Sequence, residues 1–336
     1  MKRSWIDALV DWGTTRRVPW WILAPTFWAF EVLAVGAVQW IDGSREVGQF
    51  FERTVDTFYG VFAVVSYGAL RATARRAFDR FRPAVDVPAE EADRLRHRLA
   101  TLSPRAALIG TVAGAVFGTL ALISDPAILD LITTSVAATI VIGFFVYTLN
   151  VLLVGIAIAQ LIKQLWMVTG LHRRATRVDL FRPEPAHAFS RLTALGGVIT
   201  LTNLVYSMLT DPTTFTNPVW IGFGVGSIVL AIVAFLAPLR GIHTRLRDEK
   251  LALLDRSAAR IDAVSADLHR LVDSGSYTAV AEVRGVLGAL DDDRTRIRVA
   301  STWPWEGATL RGFATTLVVP VVIWFVTAVL GKTLGF

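Results

Sequence analysis

Long uncharged stretches alternate with short charged ones through most of this chain. Residues 18–40 hold a single charge, Glu31, and residues 106–124 hold none. Residues 131–162 form an uncharged run of 32, and 193–210, 219–239 and 312–331 are also free of charge. A helix needs about 20 apolar residues to cross a hydrocarbon core roughly 30 Å thick. These six stretches therefore predict membrane-crossing helices. The 32-residue run is long enough to cross and continue into the water layer. A seventh stretch, residues 57–70, has only 14 uncharged residues. Its length alone fits either a crossing or an interfacial segment.

Charge placement decides for the crossing, because cytoplasmic loops collect Lys and Arg. With 57–70 spanning and the N-terminus inside, only Arg45, Arg53 and Lys332 of the 34 Lys and Arg residues fall outside, leaving 31 inside. The outer loops then carry Asp42, Glu46, Glu52, Asp56, Asp125, Asp130 and Asp211. Without that crossing, Arg71, Arg75, Arg76, Arg80 and Arg82 would share a loop with the acidic stretch after Trp40. The expected fold is all-α: a multi-pass integral protein of the cell membrane with seven transmembrane helices, N-terminus in and C-terminus out. Trp20, Trp21, Trp40, Trp166, Trp220, Trp303 and Trp305 fall near the ends of these stretches, where aromatic residues favour the interface. The first apolar block exceeds the short core of a cleaved signal peptide.

Composition narrows the class. Hydrophobic residues make up 53% and charged residues 18%, against about 25% charged in soluble domains. Mean hydropathy is +0.50. These values exclude a pair of soluble domains and a disordered chain. The absence of Cys excludes a disulfide scaffold. A pI near 10.0 points to contact with anionic inner-leaflet lipids, and not to nucleic acid.

The predicted organisation has four parts. Residues 1–17 are an N-terminal interfacial segment, with Trp5, Ile6, Leu9 and Trp12 on one helical face and Asp7 and Asp11 off it. Residues 18–239 hold the first six transmembrane helices and the basic cytoplasmic loops 71–105 and 163–192. In these loops Pro83, Pro88 and the Pro183-Glu184-Pro185 run interrupt helices. Residues 240–309 are a cytoplasmic helical hairpin, and 310–336 carry the last transmembrane helix. In the hairpin, Leu254, Ile261, Val264, Leu268 and Leu271 make a heptad seam with Ser257 as its weak position. Asp273-Ser274-Gly275-Ser276 breaks the helix, and Val280, Val283, Leu287, Leu290 and Ile297 make a second seam. Such a coiled-coil hairpin buries too little surface to stand alone. It packs on other loops, on a partner protein in the cytoplasm, or on copies of itself as a homo-oligomer.

Motifs for soluble catalysis are missing. There is no P-loop, the five His are scattered without ligand spacing, and no Cys is present to act as nucleophile or ligand. The expectation is a non-enzyme without metal or cofactor. Gly110, Gly114 and Gly118, and likewise Gly222 and Gly226, follow four-residue steps that let helices approach closely.

Polar residues inside the apolar runs are the functional candidates. Thr193, Gly196, Thr200, Asn203, Ser207 and Thr210 form a small and polar stripe at three- and four-residue steps. Thr139, Gly143, Tyr147, Asn150, Ala157 and Gln160 form a looser one. Polar groups facing lipid are costly, so both stripes face protein or water. Glu31 and Asn203 lie about 18 Å and about 15 Å from the inner ends of their helices at 1.5 Å per residue, near the midplane. The candidate polar pathway is Glu31, Tyr147, Asn150, Thr200, Asn203 and Ser207. It predicts an oligomeric ion-permeation or transport protein, an ion channel in its simplest form. The alternative is a membrane scaffold or signalling protein acting through its hairpin, with the stripes serving as helix packing.

Overall fold

The computed structural model describes residues 4–15, 20–41, 58–124, 148–175, 179–181, 184–210, 218–305 and 307–334. All regular structure in these residues is helical. We number the helices α1 (Trp5–Thr15), α2 (Trp20–Ile41), α3 (Phe58–Phe81), α4 (Ala89–Ala100), α5 (Pro104–Ser124) and α6 (Leu149–Arg174). After these come α7 (Glu184–His187), α8 (Ser190–Thr210), α9 (Pro218–Asp273), α10 (Tyr277–Val299) and α11 (Gly307–Leu334). Four helical segments among the described residues are long and apolar enough to cross a membrane.

Helix α6 is the hub, packed against α5, α3 and α9. Its pairing with α5 is antiparallel and depends on small residues. A Cβ on Gly110 would meet the Gly155 carbonyl at 2.9 Å, and one on Gly114 would meet the Val151 carbonyl at 2.6 Å. Backbone lies against backbone here, which is the use expected of the four-residue glycine spacing. Between α3 and α6 the pairing is parallel: Gly60 faces Asn150 near one end, and Leu70 meets Gln164 near the other. Helix α8 runs antiparallel to both α3 and α9: Tyr206 lies against Phe58 and edge-on to Tyr59, Phe189 just before α8 lies against Phe81, and Gly197 and Leu204 face Ala231 and Gly224 of α9.

Residues 58–70 of the short apolar stretch are only the first part of α3. The helix has 24 residues, about 36 Å at 1.5 Å per residue. Its second half carries the Arg cluster and yet buries Leu70, Ala74, Ala77, Phe78 and Phe81. These side chains meet Ala92 and Leu99 of α4, Val168 and Leu171 of α6, and Phe189 and Leu192 at the start of α8. The two basic loops thus share one hydrophobic core at the basic end of the bundle. A 3-10 turn at Arg82–Ala84 separates α3 from α4. Pro185 stands in the first turn of the short helix α7, where proline is tolerated. Phe81 is fully buried, whereas Phe181, also followed by Arg-Pro in the sequence, is exposed.

The expected boundary at residue 240 coincides with no break. Helix α9 runs 56 residues, through Pro238, from the apolar stretch into the heptad seam. It ends in a Schellman turn: the Ser276 N–H donates to the Leu271 carbonyl at 3.0 Å and the Gly275 N–H to Val272 at 3.1 Å. Gly275 has φ +72°, a left-handed conformation that glycine adopts without Cβ strain. Helix α10 then packs back along α9. The base of this hairpin is anchored where Ile242, Leu246 and Ile297 bury against Leu180. Farther out, Leu254, Ile261, Val264, Leu268, Leu271, Val280, Val283, Leu287 and Leu290 are only half-buried, since two helices alone cannot enclose a seam. Ser257, the weak position, is buried, and its hydroxyl has no hydrogen-bond partner among the described residues.

Candidate functional site

Helices α3, α6, α8 and α9 enclose a cavity of about 210 Å³ between their apolar segments. Thr200 and Asn203 of the polar stripe line it, together with Ser66 of α3 and Ser227 of α9. Phe62, Phe223 and other apolar side chains supply the remaining wall. No wall residue is titratable. Thr200 donates to the Gly196 carbonyl of its own helix at 2.9 Å.

The other candidates lie apart from this cavity. Asn150 is buried on α6 with its amide oxygen against Gly60, so close that a Cβ there would have no room. Ser207 is buried on α8 but does not line the cavity. Glu31 is buried on α2, which packs on α3. Its Oε2 has no hydrogen-bond partner among the described residues, and Glu31 is not part of the cavity wall. Tyr147 lies outside the described residues. The structure therefore joins Thr200 and Asn203 in one space and places Asn150, Ser207 and Glu31 elsewhere.

A second polar centre sits at the basic end, and sequence reasoning missed it. Asp7 is fully buried. Its Oδ1 accepts from the Tyr67 hydroxyl at 2.8 Å, and its Oδ2 accepts from Ser4 Oγ at 2.8 Å and from the Leu102 N–H at 3.1 Å. Arg71 bridges Asp7 at 3.5 Å and Asp11 at 2.8 Å. Ser4 also caps α1, accepting from the Asp7 N–H at 3.3 Å. The Ser4-x-x-Asp7 spacing is the signal that was legible, a capping-box pattern just before an apolar run. Helix α1 thus docks through its acidic side and Ile6, while Trp5, Leu9 and Trp12 stay exposed. That exposed face fits an interfacial helix; the inward-facing carboxylate was not foreseen.

Polar side chains of α6 next to this centre close the end of α4. Gln160 donates to the Ala100 carbonyl at 3.2 Å and Gln164 to Leu99 at 3.3 Å. Lys163 donates to the carbonyls of Arg98 and Thr101. These are the carbonyls a helix C-terminus leaves without partners. Gln160, read as part of the looser stripe, therefore caps a helix.

His172, one of the five scattered histidines, is wholly buried between the rings of Phe81 and Phe189. Its Nδ1 lies 2.7 Å from the Pro238 carbonyl of α9. A carbonyl only accepts, so Nδ1 carries the proton. His243 begins a column of rings. It stacks on Trp303 at 3.8 Å, Trp303 on Trp305 at 4.3 Å, Trp305 on Phe235 at 5.6 Å, and Phe235 on Phe313 at 4.3 Å. This column ties the α10–α11 connection to α9 and α11.

No family model, curated protein or solved structure matches this chain.

Proposed function

We propose that the chain is a seven-span protein of the cell membrane, N-terminus and hairpin in the cytoplasm, that works as a non-enzymatic scaffold or signalling element. The observation that carries this reading is α9, a single 56-residue helix shared by the apolar bundle and the hairpin. Whatever binds the hairpin therefore acts on the bundle through continuous backbone. Leu251, Val272 and Val286 leave apolar surface exposed on the hairpin, and the half-buried seams add to it. A second copy of the chain is the partner we assign to that surface. The Lys and Arg residues at the basic end suit anionic lipid headgroups.

A permeation role is the second reading, favoured by a buried carboxyl, Glu31, on a helix of otherwise apolar character. The two readings separate in experiment. Because the chain has no Cys, Val286→Cys gives one oxidisable site on α10. The scaffold reading expects a cross-linked dimer in native membranes, weakened by Leu268→Asp, and no current in planar bilayers. A Val286→Cys protein that stays uncross-linked and monomeric by mass would sink self-association. A current altered by Glu31→Gln would favour permeation instead.

A further inference from the structure

The two serines in the cavity wall behave unlike several threonines of the apolar helices. Thr111, Thr169, Thr200 and Thr315 each donate to the carbonyl four residues back. That is the usual refuge of a hydroxyl in an apolar helix. Ser66 and Ser227 are 3% and 6% exposed, yet neither has a hydrogen-bond partner among the described residues, and nor does the Asn203 amide. Three helices, α3, α8 and α9, thus each bring one polar group without a protein partner among the described residues to the wall of the same cavity. In surroundings without water such a group costs free energy unless something in the cavity bonds to it.

The wall also constrains what that something is. It contains no titratable group, so a charged molecule would leave water with no counter-charge to receive it. Phe62 and Phe223 add aromatic surface to the wall. At about 210 Å³ the space is somewhat larger than the roughly 150 Å³ cavity known to hold benzene. An acyl chain would fill volume but leave all three polar groups unpaired. Access is lateral. Gly226 on the rim is open, with nothing within 4 Å of where a Cβ would stand. On the neighbouring turns of α9, Val225 and Val229 are 59% and 54% exposed, the apolar surface of the bundle.

We propose that the cavity between α3, α6, α8 and α9 binds a neutral oxygen-bearing ring that enters from the bilayer, held by hydrogen bonds from Ser66, Asn203 and Ser227. Phenols and quinones are the chemical class. The ring is either a free small molecule or the head of a lipid with an alkyl tail. This site does not depend on the scaffold reading and would survive its failure.

The test uses the full chain in lipid nanodiscs and a photoreactive diazirine derivative of 4-propylphenol. Labelled residues are mapped by peptide mass spectrometry. Saturable labelling of the cavity wall is expected, competed by 4-propylphenol and not by the charged 4-propylbenzoate or the oxygen-free propylbenzene. Ser66→Ala, a change small enough to leave packing intact, should weaken competition about fivefold to tenfold, as expected for one lost hydrogen bond. Ser227→Leu fills the space and should abolish saturable labelling. Gly222→Leu on the same helix, where a Cβ meets nothing within 4 Å, should leave it unchanged. Decylphenol competing beyond its greater membrane partitioning would identify a lipid-borne ring, and equal competition a free one. Non-saturable labelling spread over Val225 and Val229, competition by propylbenzene equal to that by the phenol, or unaltered labelling in Ser66→Ala would each overturn the proposal.

Discussion

Glycine placement at the α5–α6 contact shows how far a single atom decides packing in this molecule. The Gly155 Cβ position collides with the Gly110 carbonyl, a backbone atom that cannot turn aside. Gly155→Ala should therefore push the helices apart and cost about 1–3 kcal/mol, the usual range for overpacking. Gly222→Ala, with open space at its Cβ, should be neutral or better, since alanine favours helix. Thermal unfolding of the two variants in one detergent checks the pair, and equal melting shifts would refute the close contact. Asp7 makes a different argument. Its carboxylate partners Tyr67, Leu102 and Arg71 at once. Asp7→Ala would leave Arg71, whose side chain is almost wholly buried, with Asp11 alone. Removing one partner of a buried pair typically costs about 3–5 kcal/mol; the remaining bridge to Asp11 places this case near the lower end. Proteolysis of α1 should accelerate in that variant, and unchanged protection would show that α1 is held by Ile6 packing alone.

At the level of elements, one device recurs three times. Lys163 donates to the carbonyls that end α4, Arg245 to those of Arg173 and Ala175 at the end of α6, and Lys250 to those of Arg298 and Ala300 at the end of α10. In each case a cation on one helix meets the negative end of another, where the last carbonyls lack partners and the helix dipole adds attraction. Arg245→Met keeps the stem but loses both bonds, and should cost about 1.5–3 kcal/mol, the range for hydrogen bonds involving a charged group. Hydrogen exchange at residues 170–175 should rise in that variant with little change in α8; uniform protection would mean the bonds contribute nothing. The sequence made the helices legible because uncharged runs and the glycine steps of α5 report directly on lipid and on close approach. It hid the length of α3, whose Arg-bearing half buries Leu70, Phe78 and Phe81 against the other basic loop, so hydropathy saw only 13 of its 24 residues. His172, Gln160 and Asp7 were hidden for a related reason. Each is polar in sequence and buried only because a distant carbonyl or hydroxyl satisfies it. Of the polar residues that line the cavity, Thr200 and Asn203 were legible by periodicity, but Ser66 and Ser227 were not, since neither belongs to a polar stripe on its own helix.

For the whole molecule, the directions of the helices constrain the topology. Helix α6 runs parallel to α3 and antiparallel to α5, and α8 is antiparallel to both α3 and α9. If one of these crosses the membrane, the relative directions fix the sense of the others. Helix α3 is then the deciding element. A crossing by α3 sets Arg71–Arg82 on the side opposite Ser44, whereas an interfacial α3 would leave both on one side. Its roughly 36 Å length at 1.5 Å per residue suffices for a core of about 30 Å, and its basic half packs into the shared core with α4 and α6. Single cysteines separate these arrangements without background, because the chain has none. Glu90 marks the inner side, since its side chain is 81% exposed at the start of α4. Ser44, which lies outside the described residues, marks the other side. Glu90→Cys and Ser44→Cys should react with a membrane-impermeant maleimide from opposite faces of sealed vesicles, Ser44→Cys from the outer face of intact cells. Reaction of both from the same face would turn α3 into an interfacial helix. It would also invert every later crossing and move the α9–α10 hairpin out of the cytoplasm, removing the scaffold reading with it.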